Sequence, residues 1–297
     1  MSNCWWEITV ACDPILEESV FWRLDKFGCS GTATYSQNLA HAIKAYIPEM
    51  KVKSLDLSAL TLWLKEDAIL LNTTPPQVTW HLINEEDWAS SWKQYWQPQP
   101  IGDRFLIYPA WLDIPKASER LLLRLDPGAA FGTGTHPTTQ LCLEALEMRL
   151  YTGAEQQAIA DVGCGSGILS IGAMLLGAKQ VAAVDTDSLA IKTCLSNCEL
   201  NNIDQQRLIV KEGSTNELIQ LGTVYDGIVC NILAHIIVEL FPHFNSITHQ
   251  KSWAILSGIL LEQADQIADV VENNGWTVAA LWKRKEWCCF NIRRSEY

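Results

Sequence analysis

Long apolar runs are missing from this chain. Its hydrophobic stretches, such as Gly227–Cys230 and Ala254–Leu256, are short and interrupted, against the roughly 20 residues a membrane-crossing helix needs. No membrane partner is expected. The start, Met1-Ser-Asn-Cys-Trp-Trp-Glu, lacks the basic and apolar regions of a secretory signal, so a cytoplasmic protein is expected. Positive charge is scarce: 22 Lys and Arg stand against 34 Asp and Glu, a net charge of -12. Such a field argues against binding nucleic acid directly through its phosphates. It fits a basic protein partner equally with simple solubility. The ten cysteines include no C-x-x-C pair, and no H-E-x-x-H sequence occurs. No metal site is expected, and the thiols read as small core residues. No internal repeat is visible.

What the chain does have begins with length. At 297 residues, two domains are expected. Trp6, Ile8 and Val10 alternate as in a strand, and Leu16, Val20, Leu24 and Phe27 share a helical face. Extended segments after the Gly28–Gly31 turn, including one around Ala42–Ile47, a helix over Leu57, Leu60 and Leu64, and a strand Gln77–Ile83 complete the order β-α-β-β-α-β. That is the order of a ferredoxin-like α+β unit over residues 1–85. Trp88, Trp92 and Trp96 repeat every four residues, predicting a linker helix within 86–102 that Pro98, Pro100 and Gly102 end. From about residue 120 strands alternate with helices, predicting over 103–297 an α/β domain with a Rossmann-like, mostly parallel sheet.

The centre of that domain is Ala160-Asp161-Val162-Gly163-Cys164-Gly165-Ser166-Gly167-Ile168-Leu169, a strand end, three alternating glycines and a helix start. Glycines let backbone approach a ligand, and the helix start leaves N–H donors aimed at it. Asp185 ends the next apolar run, 22 positions after Gly163, where an acid grips a ribose diol in nucleotide-binding folds. A dinucleotide fold wants G-x-G-x-x-G, but the sixth position here is Ile168. Asp161 at the loop mouth suits a cationic amino-acid tail better than a pyrophosphate. Plainer readings remain, Asp161 as a helix cap and Asp185 as a turn acid.

The D-x-G-x-G-x-G arrangement resembles the class I S-adenosylmethionine-dependent methyltransferases. Two further stretches narrow the resemblance. Phe131-Gly-Thr-Gly-Thr-His-Pro-Thr-Thr139 is a glycine- and hydroxyl-rich segment without the Gly-Lys-Ser/Thr of a P-loop. Asn231, in Cys230-Asn-Ile-Leu233, falls at the carboxyl end of a strand, where open α/β sheets bind ligands. With Asp87-Trp88, Trp92, Tyr108-Pro-Ala-Trp111, Leu256-Ser-Gly-Ile259 and Glu286-Trp287, the chain is similar nearly throughout to the ribosomal protein L-eleven methyltransferase family (PrmA). The resemblance implies a substrate-recognising N-terminal domain, a linker helix and a catalytic domain using S-adenosylmethionine. It implies methylation of lysine side chains and the N-terminal amine of one basic ribosomal protein, and a monomer is expected. It also implies cofactor binding by Thr139 or its neighbour Thr138, and by Gly163, Asp185 and Asn231; Gly165 joins them from the loop pattern. Asn231 is the candidate to orient the reacting nitrogen. His136 and His235 are candidate bases beside bulk water. The alternatives are an NAD(P)-dependent oxidoreductase and a non-catalytic S-adenosylmethionine-binding ribosome-assembly module.

Overall fold

The computed structural model describes residues 4–37, 40–84, 97–115, 118–126 and 134–295. The chain divides into two compact units, Met1–Trp96 and Gln97–Tyr297.

In the first unit the strands are β1 (Cys4–Ala11), β2 (Ser30–Gln37), β3 (Ala40–Pro48) and β4 (Gln77–Asn84), with helices α1 (Glu17–Phe27) and α2 (Ser54–Leu70). The sheet runs β2-β3-β1-β4, every neighbouring pair antiparallel. This is the expected β-α-β-β-α-β sandwich. Strand alternation sends Ile8 and Val10, with Ile43, Ala45 and Ile47, to one face, where Leu16, Val20, Leu24, Leu57, Leu60 and Leu64 close the core. The two helices are tied by Asp67, whose carboxylate takes a two-pronged bond from Arg23 (2.7 and 2.9 Å) and one from Ser19 Oγ (2.6 Å). Residues 85–96, where the linker helix was expected, lie outside the described residues.

The second unit starts earlier in regular structure than the expected alternation. β5 (Gln99–Ile101), β6 (Phe105–Pro109) and β7 (Leu121–Leu125) form a small sheet. Helix α3 (Pro137–Arg149) follows, then β8 (Ala158–Val162), α4 (Ile168–Leu175), β9 (Gln180–Asp185), α5 (Ser188–Leu200), β10 (Leu208–Glu212) and α6 (Thr215–Gln220). The chain ends through β11 (Tyr225–Asn231), α7 (Ala234–Phe244), β12 (Thr248–Leu260), α8 (Ala264–Asn273), β13 (Trp276–Arg284) and β14 (Trp287–Arg294). The seven-stranded sheet runs β10-β9-β8-β11-β12-β14-β13. It is parallel from β10 to β12. β14 enters antiparallel to both of its neighbours. All five residues of β8 are buried, as expected of a parallel strand covered on both faces. Cys288 and Cys289 point to opposite faces and are both buried for the same reason. None of the ten cysteines, all among the described residues, is joined in a disulfide. The strand order reverses between β8 and β11, which opens the crevice that positions the site.

Candidate active site

The loop after β8 is built on three left-handed glycines, Gly163 (φ 77), Gly165 (φ 52) and Gly167 (φ 81). Other residues adopt that region only with strain. Gly163 and Cys164 both donate their N–H to Val184 O, at 2.9 and 3.0 Å, which hooks the loop over β9. A Cβ on Gly163 would strike the Ile232 side chain, and one on Gly167 would strike Cys194 Sγ. These glycines therefore also admit neighbouring protein. Asp185 closes the loop from the other side: Oδ2 accepts the Gly165 N–H at 2.9 Å and Oδ1 the Asp187 N–H at 3.0 Å. Each oxygen keeps a lone pair for a further donor.

Beside this loop lies a cavity of about 790 Å³, lined by Gly163, Gly165, Asp185 and Asn231 among others. The structure thus brings together four of the residues singled out in the sequence. Asn231 ends β11; its Nδ2 donates to Thr139 Oγ1 at 3.4 Å, while its Oδ1 is buried and accepts no hydrogen bond among the described residues. The two threonines stand back from the cavity. Thr139 is fully buried and reaches the site through Asn231. Thr138 Oγ1 lies 2.7 Å from His136 Nδ1 at the start of α3. His136 caps α3 ahead of Pro137, lines the cavity and meets Trp287 edge-on, ring centroids 4.9 Å apart. Burial lowers its pKa. His235 is exposed and does not line the cavity.

Asp161 departs from its expected place at the loop mouth. It is 1% exposed, and its Oδ2 accepts from Ser170 Oγ at 2.6 Å. Burial pushes its pKa up to about 7, with Ser170 opposing and Asp185 adding to the rise. Direct contact with a ligand tail is closed to it. Other wall residues carried no role in the sequence reading. Ile232 and Trp287 line the cavity, as do Thr215 and His243, which are joined at 2.8 Å. Trp287 had only its place in the Glu286-Trp287 match as a signal, and the Thr215–His243 pair had none.

A family model described as "Ribosomal protein L11 methyltransferase (PrmA)" matches residues 4–295. The chain belongs to this family. It is 54% identical over 297 residues to a ribosomal protein L11 methyltransferase from Cyanothece sp., covering 99% of this chain and 100% of the relative. A second, from Thermosynechococcus vestitus, is 50% identical over 296 residues, covering 99% and 98%. Among solved structures, a ribosomal protein L11 methylase from Lactobacillus delbrueckii subsp. bulgaricus superposes with a TM-score of 0.62 at 32% identity, over 68% of this chain and all of that one. For this family member the cavity has the parts of a transferase site. A carboxylate is tied to a glycine loop, an asparagine with a buried amide oxygen stands in the wall, and an aromatic ring lines the largely apolar crevice. The dinucleotide reading is not favoured.

Proposed function

We propose that this chain transfers methyl groups from S-adenosylmethionine to lysine side chains and the N-terminal amine of ribosomal protein L11. The observation that carries the reading is Asn231 in the wall of the cavity at the carboxyl end of β11, its Oδ1 a buried acceptor without a donor among the described residues. When bound, S-adenosylmethionine supplies an electrophilic methyl group on a positively charged sulfur. The residues present fit it: Asp185 offers both oxygens to a ribose diol, and Gly163 and Gly165 present backbone without side chains. Thr139 holds Asn231, and Thr138 holds the His136 cap.

Asn231 would accept a hydrogen bond from the substrate nitrogen and direct its lone pair toward the methyl group. Such fixed geometry supplies much of the rate of a displacement. A lysine near pKa 10.4 costs about 4 kcal/mol to neutralise at pH 7.4, and an α-amine near 8 under about 1. Trp287 and the His136 ring meet in the cavity wall, and desolvation beside such apolar surface lowers an amine pKa. The net charge of -12 suits a basic substrate. We assign substrate recognition to residues 1–85, the linker to 86–102 and methyl transfer to 103–297.

The test is intact-mass spectrometry of purified ribosomal protein L11 after incubation with the chain and S-adenosylmethionine. Increments of about 14 Da per methyl group are expected, and none with Asp185→Ala. Cofactor binding by calorimetry without any increment would leave a non-catalytic binding module.

A further inference from the structure

Methyl transfer to an ammonium group requires that a proton leave it, and the nearby histidines are poorly suited to take it. His235 lies outside the cavity, His136 is engaged as the cap of α3, with Thr138 on its Nδ1, and His243 in the cavity wall is tied to Thr215 through its Nδ1. Two buried acceptors, however, belong to residues of neighbouring strands. Asp161 Oδ1 and Asn231 Oδ1 are both buried, and neither accepts a hydrogen bond from a described residue. β8 and β11 are parallel with Val229 opposite Asp161. Asn231, two residues further on, therefore shares the face of Asp161, about 8 Å away along the diagonal by strand spacing and rise.

Two neighbouring hydroxyls are already committed. Ser170 Oγ donates to Asp161 Oδ2, and Ser257, opposite Asn231 on β12, donates to Cys288 O at 2.9 Å. Two acceptors cannot bond each other, but one water donating to both satisfies them.

We propose that Asp161 is the proton acceptor of the reaction, reached from the substrate amine through one buried water held between Asp161 Oδ1 and Asn231 Oδ1. The inference rests on the methyl-transfer reading above. In the step, an N–H bond of the ammonium breaks and its electron pair stays on nitrogen as the attacking lone pair. The proton passes to the water, which gives one of its own to Asp161 Oδ1. Ammonium and carboxylate thus become amine and carboxylic acid before the methyl group moves.

The surroundings of Asp161 suit the task. Burial raises its pKa, the Ser170 hydrogen bond opposes the rise, and the Asp185 carboxylate adds to it. The thiols that sense Asp161, Cys142 on α3, Cys164 in the loop and Cys230 on β11, all have raised pKa values and are uncharged at neutral pH. An acceptor that titrates near the working pH balances availability against proton affinity, and one intervening water is within the reach of a general base.

The experiment measures kcat/KM for ribosomal protein L11 from about pH 5.5 to 9.5, with S-adenosylhomocysteine affinity by calorimetry alongside. The wild-type rate should climb tenfold per pH unit and level off near pH 7. Asp161→Asn should lose that break and keep climbing toward the lysine range. Its rate at pH 7 should be at least tenfold lower, with cofactor affinity within about threefold. Ser170→Ala should move the break to higher pH, because the carboxylate loses its hydrogen bond. An unshifted break in Asp161→Asn would overturn the proposal. So would a loss of cofactor affinity large enough to account for the whole rate loss. A wild type that binds cofactor but methylates nothing would overturn the methyl-transfer reading, and this inference with it.

Discussion

Gly258 sits at φ 83 with its Cα against the Ile232 backbone, so a Cβ there would strike a carbonyl that has nowhere to move. Gly258→Ala should cost about 1–3 kcal/mol from the backbone strain, read as a lower denaturant midpoint. It should also weaken cofactor binding, because Ile232 is part of the cavity wall. Asp185 is the complementary case, a residue whose loss is felt in binding first. Its two oxygens hold the Gly165 and Asp187 N–H groups. Asp185→Ala should weaken S-adenosylhomocysteine at least tenfold, about 1.4 kcal/mol, by calorimetry. Both residues were visible in the sequence, but for different reasons. Asp185 follows from the acid-after-strand spacing, while Gly258 was only part of a matched stretch until β11 and its neighbouring loop showed what it touches.

Single side chains also join elements. Glu147 on α3 accepts three backbone N–H groups from the turn into β6, those of Asp103, Arg104 and Phe105, at 2.9, 2.9 and 3.1 Å. Glu147→Gln turns an amide N–H₂ toward donors and should cost about 1–3 kcal/mol in urea unfolding. In the first unit, α1 is clasped to α2 through Asp67. The Arg23 hydrogen bond holds its carboxyl below the ordinary value, burial opposes this, and Ser19 assists. A carboxyl with a depressed folded pKa adds stability above its unfolded value, near 3.9, and loses it as pH falls through the folded value. The gap in urea midpoint between wild type and Asp67→Asn should therefore be full at pH 7 and close as pH falls through the lowered folded value. Neither clamp was read from the sequence, since Glu147 and Asp67 find partners some 42 to 48 positions away.

At the scale of the molecule, the two units have separate cores, one drawn from residues 8–68 and the other from 158–292. Among the described residues, the cavity wall lies between His136 and Trp287. Residues 97–297 produced alone should therefore unfold in one cooperative step and bind S-adenosylhomocysteine within about threefold of the full chain. A large loss of affinity would mean that the first unit contributes to the cofactor site. The order of elements, the glycine loop, Asp185 and the placement of Asn231 at a strand end were legible in the sequence. They depend on period two, period 3.6 and short spacings, all properties of a local stretch of chain. Tertiary structure alone decided that Asp161 turns inward to Ser170, that Thr139 meets Asn231, and that Trp287 from the last strand lines the cavity. Those contacts depend on which strand lies beside which and on which helix covers the face between them. That pairing is settled by burial across the whole sheet, and no local pattern records it.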